Sequence, residues 1–182
     1  MPLTKDDLIA LMDGKLPWSD VKDIVSRPKE QDRFQQVLEI LQGRTGWKDR
    51  ILMPLSEHLY IVQKGAERIV RCDCGHEFGD YRCNWKLRAH ILVRDDLETL
   101  EQIYPGLSAP NPTLGELREF ICPACATLLK VESVPCGYPL IFDALPDIDG
   151  FYRGWLDDPL GERQEFKDMT LETIREWERT TA

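Results

Sequence analysis

The apolar positions change their spacing twice along the chain, and the changes divide it into three zones. Residues 1–50 carry helical spacing. Leu8, Ile9, Leu11 and Met12 make one stripe before Gly14, and Thr4 followed by Asp7 has the spacing of a capping box. Ser19 is the expected cap of a second short helix through Val21, Ile24 and Val25, ended by Arg27-Pro28, because the residue before a proline leaves the helical region. A third, over about Lys29 to Gln42, sets Phe34, Val37, Leu38 and Leu41 on one face and stops at Gly43.

Across residues 51–142 the period shortens towards two. Leu59–Val62 and Ile69-Val70 flank Lys64-Gly65-Ala66-Glu67, which predicts a hairpin. Trp85, Leu87, Ala89, Ile91 and Val93 alternate with Lys86, Arg88, His90 and Arg94, the pattern of a half-buried strand with a basic outer stripe. Asp95–Tyr104 reads as a short helix ended by Pro105-Gly106, and a proline-rich loop follows. Leu117–Ile121 and Leu128–Val134 then predict a second hairpin, its turn holding Cys122-Pro-Ala-Cys125.

Residues 143–182 form an aromatic-rich tail. Asp143–Asp149 is acidic, contains Pro146 and reads as an extended, solvated run. Phe151, Tyr152, Trp155 and Leu156 return to helical spacing, as do Leu171, Ile174 and Trp177. Such a tail can lie across another subunit, where Trp and Tyr dominate interfaces, or fold back on its own core; the sequence leaves both open. The expected fold is therefore α+β: a central antiparallel, zinc-ribbon-like β module between a helical N-terminal segment and an extended or helical C-terminal tail.

Charge narrows the partners. A formal net charge of −9 and a pI near 4.9 disfavour nucleic acid, whose binding relies on Lys and Arg displacing counterions. No run approaches the roughly 18–20 apolar residues of a membrane helix. Residues 1–15 carry early acids and no apolar stretch of the secretory kind, so a cytoplasmic location is expected. In that compartment the six cysteines read as thiols or metal ligands rather than disulfides.

Four cysteines fall into ligand pairs. Cys122 and Cys125 have the C-x-x-C spacing of a tight turn, with Pro123 suited to begin it. In an extended strand, residues two apart face one side, so Cys72 and Cys74 can share a target, and Gly75 lets the chain reverse behind them. The 47 residues between the pairs, 75–121, are no obstacle, because closure entropy grows only logarithmically with length. Structural zinc on Cys72, Cys74, Cys122 and Cys125 is the expectation. His76 is the rival ligand; Cys83 and Cys136 lack partners at ligand spacing. Buried small hydrophobes and a redox dithiol are the competing readings, the latter without a surrounding β-α-β pattern. Four sulfurs close a zinc site, whereas a catalytic zinc keeps a position open.

No catalytic residues are expected. His58, His76 and His90 are scattered, and no glycine pattern of a nucleotide site occurs. A stand-alone zinc-ribbon module for a protein or nucleic-acid partner stays open as the alternative.

Several segments together resemble one family, the acetone carboxylase gamma subunits. They are Arg71–Tyr81, Asn84–Leu87, Glu101–Gly106, Leu117–Phe120 with Cys122–Cys125, and Gly137–Pro139 with Asp147–Arg153. The resemblance implies a small subunit of an ATP-dependent ligase that carboxylates acetone with bicarbonate to acetoacetate, ATP going to AMP and two phosphates. It implies heterohexamers, (αβγ)2, in which the large alpha and beta subunits hold ATP and Mn2+ and the gamma chain contributes a zinc-bearing module. Carried over, the zinc ligands again fall on Cys72, Cys74, Cys122 and Cys125. The chain departs at Ala126, where a zinc knuckle commonly has Gly; aromatic ketones remain possible substrates within related carboxylases.

Overall fold

The computed structural model describes residues 3–181. By its contacts the chain separates into residues 1–51 and residues 52–182, each compact in itself.

The first unit is helical. Helix α1, Lys5–Met12, opens on the capping box expected from its sequence: the Thr4 side chain accepts from the Asp7 N–H and the Asp7 side chain accepts from the Thr4 N–H. Helix α2, Trp18–Ser26, begins behind Pro17 without a side-chain cap, so Ser19 lies inside the helix and is not its cap. Helix α3, Arg33–Thr45, differs at both ends from its expected span. Lys29 is not its first residue, because the Lys29 ammonium donates to the Val25 and Arg27 carbonyls, at 2.9 Å each, and so finishes α2. Gly43 is crossed, a tolerable loss of about 1 kcal/mol, and the helix stops at Gly46, whose φ of 64° closes its C-terminus. Asp13 and Arg44 pair at 2.6 Å within this unit.

Among the described residues, seven strands form two sheets. Strands β1 (Arg50–Ser56), β2 (Leu59–Lys64), β3 (Glu67–Cys72) and β4 (Glu77–Asp80) lie in that order, with β2–β3 and β3–β4 antiparallel. Strands β5 (His90–Arg94), β6 (Glu116–Ile121) and β7 (Leu128–Val134) make the second sheet, also antiparallel. The core gathers residues from both: Leu52, Leu59, Ile61, Val70 and Phe78 from the first, Phe120 and Leu129 from the second. A run of edge-to-face rings crosses between them, Phe78 to Trp85 at 5.8 Å and Trp85 to Phe120 at 6.0 Å.

The strand expected over Trp85–Val93 is shorter than its alternation suggested. Residues Trp85–Arg88 form a 3-10 turn, started by the Asn84 side chain accepting from the Lys86 N–H, and β5 begins only at His90. Trp85 and Lys86 are consecutive and both buried, so Lys86 does not lie on an outer, solvated face. The basic stripe dissolves with it. Lys86 is sealed inside on Glu132, Asp143 and the Ile141 carbonyl; Arg94 bonds Glu119; Arg88 lies over the Trp177 ring.

Helix α4, Leu97–Glu101, follows β5 with Asp96 as its cap. In the acidic run leading into α5 (Ile148–Gly154), Asp143 and Asp147 are exposed as expected, whereas Asp149 is buried. Asp143 pairs with Lys86 and Lys130, Asp147 caps α5 by accepting from the Gly150 N–H, and Asp149 is buried against Arg68. Tyr152, fully buried on α5, donates to the Leu52 carbonyl at 2.8 Å. Helix α6, Thr170–Thr181, ends the described chain. Its first turn is fastened to the same unit: the Asn84 N–H donates to the Thr170 hydroxyl and the Met169 N–H to the Arg82 carbonyl. The tail thus folds back on its own core, while Trp155, Phe166 and Leu171 face outward. Among the described residues, no helix is long and apolar enough to cross a membrane.

Candidate metal centre

Each sheet delivers one pair of sulfurs from the end of a strand. Cys72 is the last residue of β3, and the turn Asp73-Cys74-Gly75 leads into β4. Gly75 takes φ 92°, a backbone state that side chains resist, and its N–H donates to the Cys72 carbonyl at 2.8 Å. Cys122 follows β6, and the turn through Cys125 closes when the Ala126 N–H donates to the Cys122 carbonyl at 3.0 Å. Ala126 occupies the left-handed region with φ 59°. The residue that stands where a zinc knuckle commonly has Gly thus takes a backbone state that glycine favours.

The two pairs converge. The Sγ atoms of Cys72, Cys74, Cys122 and Cys125 all lie within 4.8 Å of one another. Cys72 and Cys125 are 3.8 Å apart, Cys74 and Cys122 3.7 Å, well beyond disulfide bonding at about 2.05 Å. Each turn supplies one buried and one exposed cysteine, and each of these close contacts joins a buried one to an exposed one of the other turn. A tetrahedron of thiolates around zinc, with metal–sulfur bonds of about 2.3 Å, has edges of about 3.8 Å. The sulfur spacing fits such an ion, and the group can hold one.

The thiols differ electrostatically. Burial pushes the Cys72 thiol up and raises Cys74 as well. Cys125 is pulled down to about 6, first by the Thr127 hydroxyl, 3.1 Å from its sulfur. A bound cation favours the thiolate form of all four.

The other candidates stand elsewhere. His76 packs its ring edge-to-face on Phe78, centroids 5.0 Å apart, and is not among the four converging groups. Cys83 lies 3.0 Å from the Thr173 hydroxyl, and Cys136 donates to the Pro112 carbonyl at 3.2 Å. Two features escaped sequence reasoning. Both sheets slip register just before their cysteines, β3 between Val70 and Arg71 and β6 between Phe120 and Ile121. The extra residue of each bulge, Phe78 in β4 and Leu129 in β7, stands on the strand paired with the cysteine's own, and nothing in the local composition announces it. The second is a contact between His58 and Asp73, 2.5 Å apart, for which the only sequence signal was an acid between two cysteines.

The cysteines lie inside the stretch that also identifies the chain. Residues 45–156 match the sequence model of the acetone carboxylase gamma subunit. The chain is 44% identical over 167 residues to the acetone carboxylase gamma subunit of Xanthobacter autotrophicus, an alignment spanning 91% of this chain and 99% of that relative. With its four-sulfur centre in the shared region, this chain belongs to the acetone carboxylase gamma subunit family.

Proposed function

We propose that this chain is the small, zinc-bearing structural subunit of an ATP-dependent ketone carboxylase complex in the cytoplasm. In that complex acetone and bicarbonate become acetoacetate while ATP goes to AMP and two phosphates. The reaction takes place on large alpha and beta subunits carrying ATP and Mn2+, in an (αβγ)2 heterohexamer. Family membership supports the complex, and the single observation that carries the structural role is the meeting of four sulfurs within 4.8 Å. Zinc held by Cys72, Cys74, Cys122 and Cys125 would supply a cross-link between the two sheets, with no position left for water or substrate.

The outer surface suits an assembled chain. On the face of β5–β6–β7 away from Phe120, Leu92, Leu128 and Val131 are exposed around Ile121, and at the tail Trp155 and Leu171 are open. We assign these apolar faces, and with them residues 143–182 and the helical residues 1–50, to contacts with the large subunits.

The test is co-expression with the large subunits and elemental analysis of the purified complex, followed by assays of the separated chain. One zinc per gamma chain is expected, together with neither ATP hydrolysis nor carboxylation by the chain alone. ATP-hydrolysing or carboxylating activity of the isolated chain would overturn the assignment.

A further inference from the structure

We propose that His58 is a positioning residue for the cysteine centre: standing on the turn between β1 and β2, it pins Asp73 between Cys72 and Cys74 and so slows escape of the bound metal. This rests on the metal reading of the four sulfurs.

The two cysteine turns are held differently. In the longer turn, the Cys122 N–H donates to the Thr127 carbonyl at 2.9 Å, and the Thr127 hydroxyl sits against the Cys125 sulfur. That turn is supported from within its own strand ends. The shorter turn also closes its ends, Cys72 N–H to the His76 carbonyl at 2.9 Å, but its middle residue is held from outside. The Asp73 N–H donates to the His58 carbonyl at 3.1 Å, and Asp73 Oδ2 lies 2.5 Å from His58 Nδ1. A carboxylate only accepts, so the ring donates through Nδ1.

The anchoring turn is itself tied to the sheet. Tyr60, buried in β2, donates its hydroxyl to the Glu57 carbonyl at 3.0 Å, and Leu59 stands directly opposite Cys72 in the β2–β3 register. Support therefore runs from the buried sheet through the 57–58 turn to the peptide that carries Cys72 and Cys74. Charge gives the contact a second effect. Four thiolates around a divalent cation remain net anionic, so a carboxylate beside them is repelled and could also compete for the ion. The His58 ring occupies that carboxylate and fixes where it points. Groups bonded directly to metal ligands alter metal affinity by about 10–100-fold; His58 acts one residue removed, through Asp73, and its effect falls at the low end of that range.

The experiment uses the full chain loaded with zinc, its metal content read first, then challenged with excess 4-(2-pyridylazo)resorcinol to follow release by absorbance. His58→Ala removes the side-chain pin but keeps the backbone one, and should release zinc about tenfold faster than wild type. His58→Asn places an amide N–H where Nδ1 stood and should release close to the wild-type rate. His90→Ala, on the exposed start of β5, should match wild type. Release from His58→Ala at the wild-type rate overturns the proposal, as does an Asn variant as fast as the Ala variant. A wild-type chain holding no metal overturns it together with the underlying metal reading, and is distinguished because content is measured before the chelator is added.

Discussion

Arg68 on β3 holds Asp149 on α5 by two parallel hydrogen bonds, Nη1 to Oδ2 at 2.7 Å and Nη2 to Oδ1 at 2.9 Å, with side-chain exposures of only 1% and 6%. The pair also anchors the tail, because the Gln164 N–H donates to Asp149 and Arg68 donates to the Glu162 carbonyl. Removing one partner of such a pair leaves the other charge buried alone. Asp149→Asn is expected to cost about 3–5 kcal/mol, read as a lower urea midpoint.

The same pair sets a pH dependence. The Arg68 hydrogen bonds hold the Asp149 carboxyl below its usual range, against the upward push of burial. A group depressed in the folded state stabilises above its unfolded value, near 3.9, and that stability is lost as pH falls through the folded value. The gap in urea midpoint between wild type and Asp149→Asn should stay constant from pH 7 to about 5 and narrow below about 4.

Ala126 adopts φ 59° at the foot of the second cysteine turn, a conformation that disfavours side chains by about 1–2 kcal/mol. Ala126→Gly should relieve most of this and raise the denaturation midpoint of the metal-loaded chain by about 0.5–1 kcal/mol, after glycine's own entropic penalty. Ala126→Val should lower it, since a branched side chain tolerates that backbone least.

Lys86 is fully buried, bonded to the Ile141 carbonyl at 2.8 Å, paired with Glu132 and Asp143, and set over the Phe120 ring at 5.4 Å. These bonds tie the irregular stretch 139–147 to the second sheet. Lys86→Met should leave both carboxylates leaning on Lys130 alone and cost about 3 kcal/mol. Hydrogen exchange should then speed up over 139–147 more than over β2 and β3.

Cys122→Ser should empty the centre and unfold residues 52–142, since structural zinc contributes on the order of 10 kcal/mol in small modules. His76→Ala and Cys83→Ala should keep the metal, because His76 packs on Phe78 and Cys83 on the Thr173 hydroxyl. Zinc content by elemental analysis together with far-UV circular dichroism checks all three.

What could be read in the sequence was whatever depends on neighbours in the chain. The Thr4–Asp7 capping box, the β2–β3 and β6–β7 hairpins and the two cysteine turns are local patterns, and each formed where its residues pointed. The misreadings have one local cause and one distant cause. Alternation over Trp85–Val93 imitates a strand, but a single Asn84 side-chain bond turns its first half into a 3-10 helix. Lys86 and Asp149 have the composition of a surface, and partners 46 and 81 positions away drew them inside. The convergence of four sulfurs was expected from spacing, whereas the two register slips beside them arise from sheet pairing and left no mark in composition.

The centre joins residues as much as 53 positions apart, and that separation imposes an order in time. During synthesis at about 5–20 residues per second, the Cys72–Cys74 turn emerges several seconds ahead of Cys125. A half-built site with two free sulfurs must wait for its second half, so a four-sulfur site exists only once the later turn has left the ribosome.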